Sequence, residues 1–178
     1  MKKLTSLLIF VGLAFNVSGQ EEPKNLKEAM DASKARWLIG NWESENTDRE
    51  NSQKQYKWGI EDSVILVHSK SSREYHGVIG FDVTSGKVIA KYFDSGNGVR
   101  DSEWLPYDGG KLIEIVKGSR VQDGELQQFS YARIVKRIDD NTFEMSIHQV
   151  LDSGEIGEVA KNQTTGAAVP LATYRRKK

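Results

Sequence analysis

The chain holds three histidines, His68, His76 and His148, and no cysteine, so the side chains best suited to metal binding or proton transfer are few. None of the three stands in a His-x-x-x-His spacing. His68 and His76 fall on different predicted strands and meet only if those strands are neighbours, where cross-strand residues lie side by side. His148 shares a predicted strand face with Ser146 and Glu144. Same-face positions on a strand are about 7 Å apart, too far for short side chains to bond directly, and a catalytic triad draws on separate segments so that its members converge. These three are expected on a solvated outer face, opposite an apolar core face of Phe143, Met145 and Ile147. The carboxylates stand in turns or alternate with lysine and offer no pair for acid–base chemistry of the glycosidase kind. The glycines of Ser95-Gly96-Asn97-Gly98 and Asp108-Gly109-Gly110 suit hairpin turns, not a phosphate cradle. No catalytic residue and no metal ligand is assigned.

The elements that position these residues begin after an export segment. Lys2 and Lys3 form a positive start, Leu7 to Phe15 an apolar run, and Val17-Ser18-Gly19 a small-residue cleavage site. The run is shorter than the roughly 20 residues of a spanning helix. Residues 1–19 are therefore read as a signal peptide and 20–178 as one domain, periplasmic or secreted, with no membrane span after cleavage. The chain carries 25 basic and 25 acidic residues, and losing Lys2 and Lys3 leaves 23 against 25. The basic residues alternate with acids, which excludes the basic face of a nucleic-acid binder, and Arg175-Arg176-Lys177-Lys178 is read as a solvated chain end. With no cysteine, stability must come from the core, and a lipidated cysteine anchor, a thiol nucleophile and thiolate zinc sites are all excluded.

One helix is predicted. Asn25 and Glu28 form a capping box, and Leu26, Met30, Ser33 and Trp37 recur at helical spacing up to Leu38-Ile39-Gly40. The period then changes to two. Strands are expected at Tyr56–Trp58, Val64–Val67, Tyr75–Val83, Lys87–Phe93, Val99–Pro106, Lys111–Lys117, Glu125–Ile138 and Thr142–Leu151, with a loop over Asp152–Ala168 and a closing strand over Pro170–Arg175. No helical pattern separates them, so the fold class is all-β. An antiparallel meander of this size removes its exposed edges by closing into a barrel of roughly 8–10 strands, wide enough for a small ligand.

Trp37-Leu38-Ile39-Gly40-Asn41-Trp42-Glu43, directly after a short helix, resembles the opening motif of lipocalin-like (calycin) barrels. Tyr56-Lys57-Trp58, Gly77-Val78-Ile79-Gly80-Phe81-Asp82 and Trp104-Leu105-Pro106-Tyr107-Asp108-Gly109-Gly110 look more particularly like bacterial exported lipocalin-like domains. The resemblance covers nearly all of the mature chain. It implies a barrel whose floor is closed by Gly40 and Trp42 against a basic residue of the last strand, at the position of Arg175. The ending Leu171-Ala172-Thr173-Tyr174-Arg175-Arg176 is also similar to that of nitrobindin-like haem barrels. Those place a ligating histidine just before it, where this chain reads Gly166-Ala167-Ala168-Val169-Pro170, so haem is not implied and no cofactor is assigned.

Within such a barrel the aromatics become candidates for ligand contact. Tyr56 and Trp58 share a face, and Phe93, Trp104 and Tyr131 lie on later strands. Together they offer apolar area with polar tips, and His68 and Arg100 are the polar residues expected at a head group. The expected function is binding of a small apolar or amphipathic molecule. Two alternatives stand beside it: a hydrolase or isomerase using His68 or His148 in the cavity, and a structural barrel packed by Trp42, Trp58 and Trp104.

Overall fold

A computed structural model describes residues 22–45, 52–108, 111–162 and 165–177, with the side chains of 106–108 excepted. The predicted export segment lies outside the described residues.

The capping box forms as expected. The Glu28 backbone N–H donates to Asn25 Oδ1 at 2.9 Å, and Asn25 Nδ2 donates to Glu28 Oε1 at 2.8 Å. Helix α1 spans Leu26–Ala32 and buries Leu26, Ala29 and Met30. It ends a turn and a half before the predicted stop, because Lys34 takes a left-handed conformation (φ 49°) that no helix continues through. Trp37 belongs instead to a separate 3-10 turn, Arg36–Leu38.

Eleven strands follow: β1 (Gly40–Ser44), β2 (Gln53–Ile60), β3 (Val64–Lys70), β4 (Glu74–Asp82), β5 (Lys87–Asp94), β6 (Val99–Asp108), β7 (Lys111–Gln122), β8 (Glu125–Asp139), β9 (Thr142–Val150), β10 (Ile156–Val159) and β11 (Ala172–Arg176). Strands β1 to β9 pair antiparallel in chain order wherever two are consecutive from β2 onward and from β1 to β2, and β11 closes the ring between β9 and β1. The result is a closed ten-stranded antiparallel barrel. Strand β10 was expected as loop. It pairs with the far half of β9, end to end with β11 along the same edge, where too few alternating residues mark it in sequence. Among the described residues no helix is long and apolar enough to cross a membrane.

Alternate residues of each strand face inward, as the pleat requires. One end is plugged by α1 and the 3-10 turn. There Trp42, Trp37 and Phe143 pack as a ring cluster with centroids 4.8–6.0 Å apart, and the Trp42 indole N–H donates to the Leu38 carbonyl at 2.8 Å. The basic residue that closes this floor is Arg176, not Arg175. The register sets Trp42 opposite Arg176, whose guanidinium lies 4.3 Å from the indole centroid and donates to the carbonyls of Ile39 (2.9 Å) and Trp37 (2.6 Å). Arg175, one residue earlier, points outward to Glu45. Gly40 is needed here: its φ is +147°, and a Cβ would come within 2.2 Å of Arg176 Nη1.

A polar cavity inside the barrel

Above the aromatic floor the interior turns polar. Lys54, Ser69, Ser102, Glu114 and Arg133 are all buried at inward positions. Strand β7 places Glu114 directly opposite Arg133 of β8, and Arg133 Nη1 donates to Glu114 Oε2 at 2.7 Å. The other carboxylate oxygen accepts from Tyr92 Oη (2.8 Å) and Ser102 Oγ (2.6 Å). The Tyr92 ring reaches this position across Gly77, where a Cβ would fall 2.0 Å from the ring. Burial and then the Glu114 charge push the Tyr92 phenol well above its ordinary range. Arg133 stays charged: burial opposes its charge, but Glu114 together with the phenols of Tyr131, Tyr75 and Tyr92 outweighs that.

Lys54 is differently placed. Its ammonium is buried, 5 % exposed as a residue, and donates to Tyr75 Oη at 2.8 Å and Ser69 Oγ at 3.4 Å. Among the described residues no carboxylate pairs with it. Tyr75 and Tyr174 present their rings 5.3 and 5.4 Å from Nζ. Burial opposes the ammonium's charge, and the phenols of Tyr75, Tyr174 and Tyr56 outweigh that and raise its pKa. The reciprocal effect acts on Tyr75: burial raises its phenol, but Lys54 and then Arg133 pull it down to about 7. Tyr56, deeper in the barrel, is pushed up to about 12, chiefly by burial.

These groups border a cavity of about 430 Å³, lined by Ser52, Lys54, Ser69, Ser71, Ser72, Tyr75, Arg133, Met145, Ile147 and Tyr174. The volume lies within the roughly 300–1,000 Å³ of small-molecule sites. Its lining passes from Lys54 and Tyr75 to the apolar Met145 and Ile147, and Ser71 and Ser72 of the β3–β4 loop mark its mouth. At that end Arg100 points inward, donating to Asp94 Oδ2 at 2.7 Å and lying 5.3 Å from the Tyr75 ring centroid.

Of the seven residues predicted to meet a ligand, five turn inward. Tyr56 is buried, Trp58 and Trp104 pack on the core, Arg100 stands toward the mouth, and Tyr131 accepts from Arg133 Nη2 at 3.4 Å. The other two do not reach the interior. His68 and Phe93 stand on the outer face, one residue out of step with the inward-facing Val67 and Tyr92, and Phe93 is 56 % exposed. His148 also lies outside the cavity, half-buried beneath β10. Ser146 Oγ and His148 Nε2 are 3.0 Å apart, contrary to the expected separation, and His148 Nδ1 is 3.1 Å from the Gly157 carbonyl. A carbonyl only accepts, so Nδ1 carries the proton and Nε2 accepts from the serine. The contact with the Gly157 carbonyl of β10 anchors the ring on its other side.

The functional groups that sequence reasoning missed are Lys54, Tyr75, Glu114, Arg133 and Tyr174. A signal was present for Lys54, which shares parity with Tyr56 and Trp58, and for Glu114, between Leu112 and Val116. Charges at such positions point inward only if partners await them. Compared with protein-family models and with curated proteins, the chain matches none, so function rests on the site and not on kinship.

Proposed function

We propose that the protein is a binding protein for a small amphipathic molecule with an anionic head group, received through the β3–β4 end of the barrel and held without chemical change. The observation that carries this reading is the buried Lys54 ammonium, which borders an open cavity and pairs with no carboxylate among the described residues. Burying a charge costs several kcal/mol unless an opposite charge and hydrogen bonds offset it. A carboxylate on the ligand adds a second opposite charge beside the Tyr75 phenol that already bonds Lys54, while Met145 and Ile147 receive its apolar part. Trp42, Trp37 and Phe143 fill the floor, which confines the ligand to the upper half of the barrel. The enzyme alternative loses its bases, since His68 and His148 stand outside the cavity. The Lys2-Lys3 start, the apolar run and Val17-Ser18-Gly19 support export to the periplasm or beyond.

Calorimetric titration with straight-chain carboxylates of increasing length, against the matching alcohols, tests the proposal. Carboxylates are expected to bind at least about tenfold more tightly than alcohols, since a hydrogen bond to a charged group contributes roughly 1.5–3 kcal/mol. Lys54→Met should remove that preference. Equal binding of acid and alcohol, or binding that Lys54→Met leaves intact, would overturn it.

A further inference from the structure

We infer that His68, His76 and Glu74 form a binding site for a divalent transition-metal ion of the zinc class on the outer wall of the barrel. The site is independent of the interior cavity. His68 of β3 and His76 of β4 are direct partners in the register, and their rings stack 4.5 Å apart and 5° from parallel. Glu74 lies two residues before His76, on the same face. Its Oε1 is 2.7 Å from His68 Nε2 and 3.8 Å from His76 Nε2, and one ligand atom from each of the three lies within 4.8 Å of the others.

Two imidazole nitrogens and one carboxylate oxygen are a donor set that zinc accepts with its fourth position left to water. Magnesium and calcium prefer all-oxygen shells. Bonds of about 2.0–2.2 Å to a tetrahedral ion place ligand atoms roughly 3.4 Å apart, so closing on an ion needs movements of about 1.5 Å or less. The side chains have that freedom, being 38 %, 45 % and 71 % exposed for His68, Glu74 and His76. The backbone beneath them is tied down: the β3–β4 ladder holds the histidines, and Glu74 bonds to Ser95, its N–H donating to Ser95 Oγ and its carbonyl accepting from the Ser95 N–H. The His68–Glu74 bond alone accounts for His68. It does not account for His76, which is largely exposed yet lies flat against His68 with its nitrogen turned to the same oxygen. An ion bound there would join β3 to β4 beside the loop that carries Ser71 and Ser72.

Calorimetric titration of the untagged full chain with zinc chloride at neutral pH tests the site, with native mass spectrometry reading the stoichiometry. One ion per chain is expected. His76→Ala and Glu74→Gln should each weaken binding by about tenfold or more, a scale on which even outer-shell partners of a metal count. His148→Ala should leave it unchanged. Zinc should raise the unfolding temperature of the native chain, since a ligand of the folded state stabilises it, and should not raise that of His76→Ala. The Glu74 and His76 side chains are 45 % and 71 % exposed, so replacing either is expected to leave the fold intact. Failure to observe saturable binding, or equal binding by His76→Ala and the native chain, overturns the assignment.

Discussion

Replacing Glu114 by glutamine keeps the side chain's shape and removes its charge. In the native barrel this carboxylate accepts from Arg133, Tyr92 and Ser102 at 2.6–2.8 Å, and the side chains of Arg133 and Glu114 are only 6 % and 9 % exposed. Glutamine can still accept from the hydroxyls, but it leaves the Arg133 guanidinium buried without its anion. Breaking a buried pair from one side costs about 3–5 kcal/mol. For a domain of this length each kcal/mol lowers the unfolding midpoint by about 2–4 °C, so Glu114→Gln should melt roughly 6–20 °C below the native chain. The double variant Glu114→Gln/Arg133→Met removes both charges and should recover most of the loss, because the penalty lies in the stranded charge and not in the missing contact. Scanning calorimetry and urea unfolding measure both variants. A single variant within about 1 kcal/mol of native, or a double variant as unstable as the sum of its parts, would refute this account of the interior.

The Tyr75 phenol, held at about 7 against an ordinary 10, makes stability depend on pH with a definite sign. A depressed pKa contributes stability that is complete above the unfolded value and lost as pH falls through the folded one, so unfolding free energy should climb from pH 7 to pH 10. Denaturant titrations across that window should show the rise, phenolate absorbance should grow near its lower end, and Tyr75→Phe should abolish both. At the floor, Arg176→Gln gives up three bonds to the carbonyls of Ile39, Trp37 and Asp140 and the contact with Trp42 and should cost about 2–3 kcal/mol. Arg175→Gln, on the surface, should cost less than about 1 kcal/mol, and paired urea midpoints distinguish them.

The barrel was legible because its strands alternate cleanly and its turns carry the residues that turns require. What sequence left ambiguous was parity and partnership. Arg175 and Arg176 are adjacent, and only the register opposite Trp42 decides between them, although the buried Tyr174 shares parity with Arg176. Phe93 adjoins Tyr92 as a pair of aromatics between Lys91 and Asp94, so neither residue declares its face. The helix stopped early because Lys34, which carries no sequence mark of a left-handed residue, bends the chain after α1. The interior charges were hidden for a further reason. Lys54, Glu114 and Arg133 look like solvent-facing residues until strands distant in sequence bring phenols, serines and each other into contact, and that convergence depends on closure.

The position of β11 has a consequence for how the chain reaches this state. Trp42 and Arg176, nearly the whole domain apart, are backbone partners across the seam, so among the described residues the last five-residue strand alone bridges β1 and the first half of β9. Until it docks, two strand edges stand open and attract other chains, and a contact so distant in sequence forms slowly. The meander can assemble hairpin by hairpin, but its seam is sewn last. Loss of a few C-terminal residues would therefore act on the whole ring, leaving an open, adhesive sheet in place of a sealed vessel.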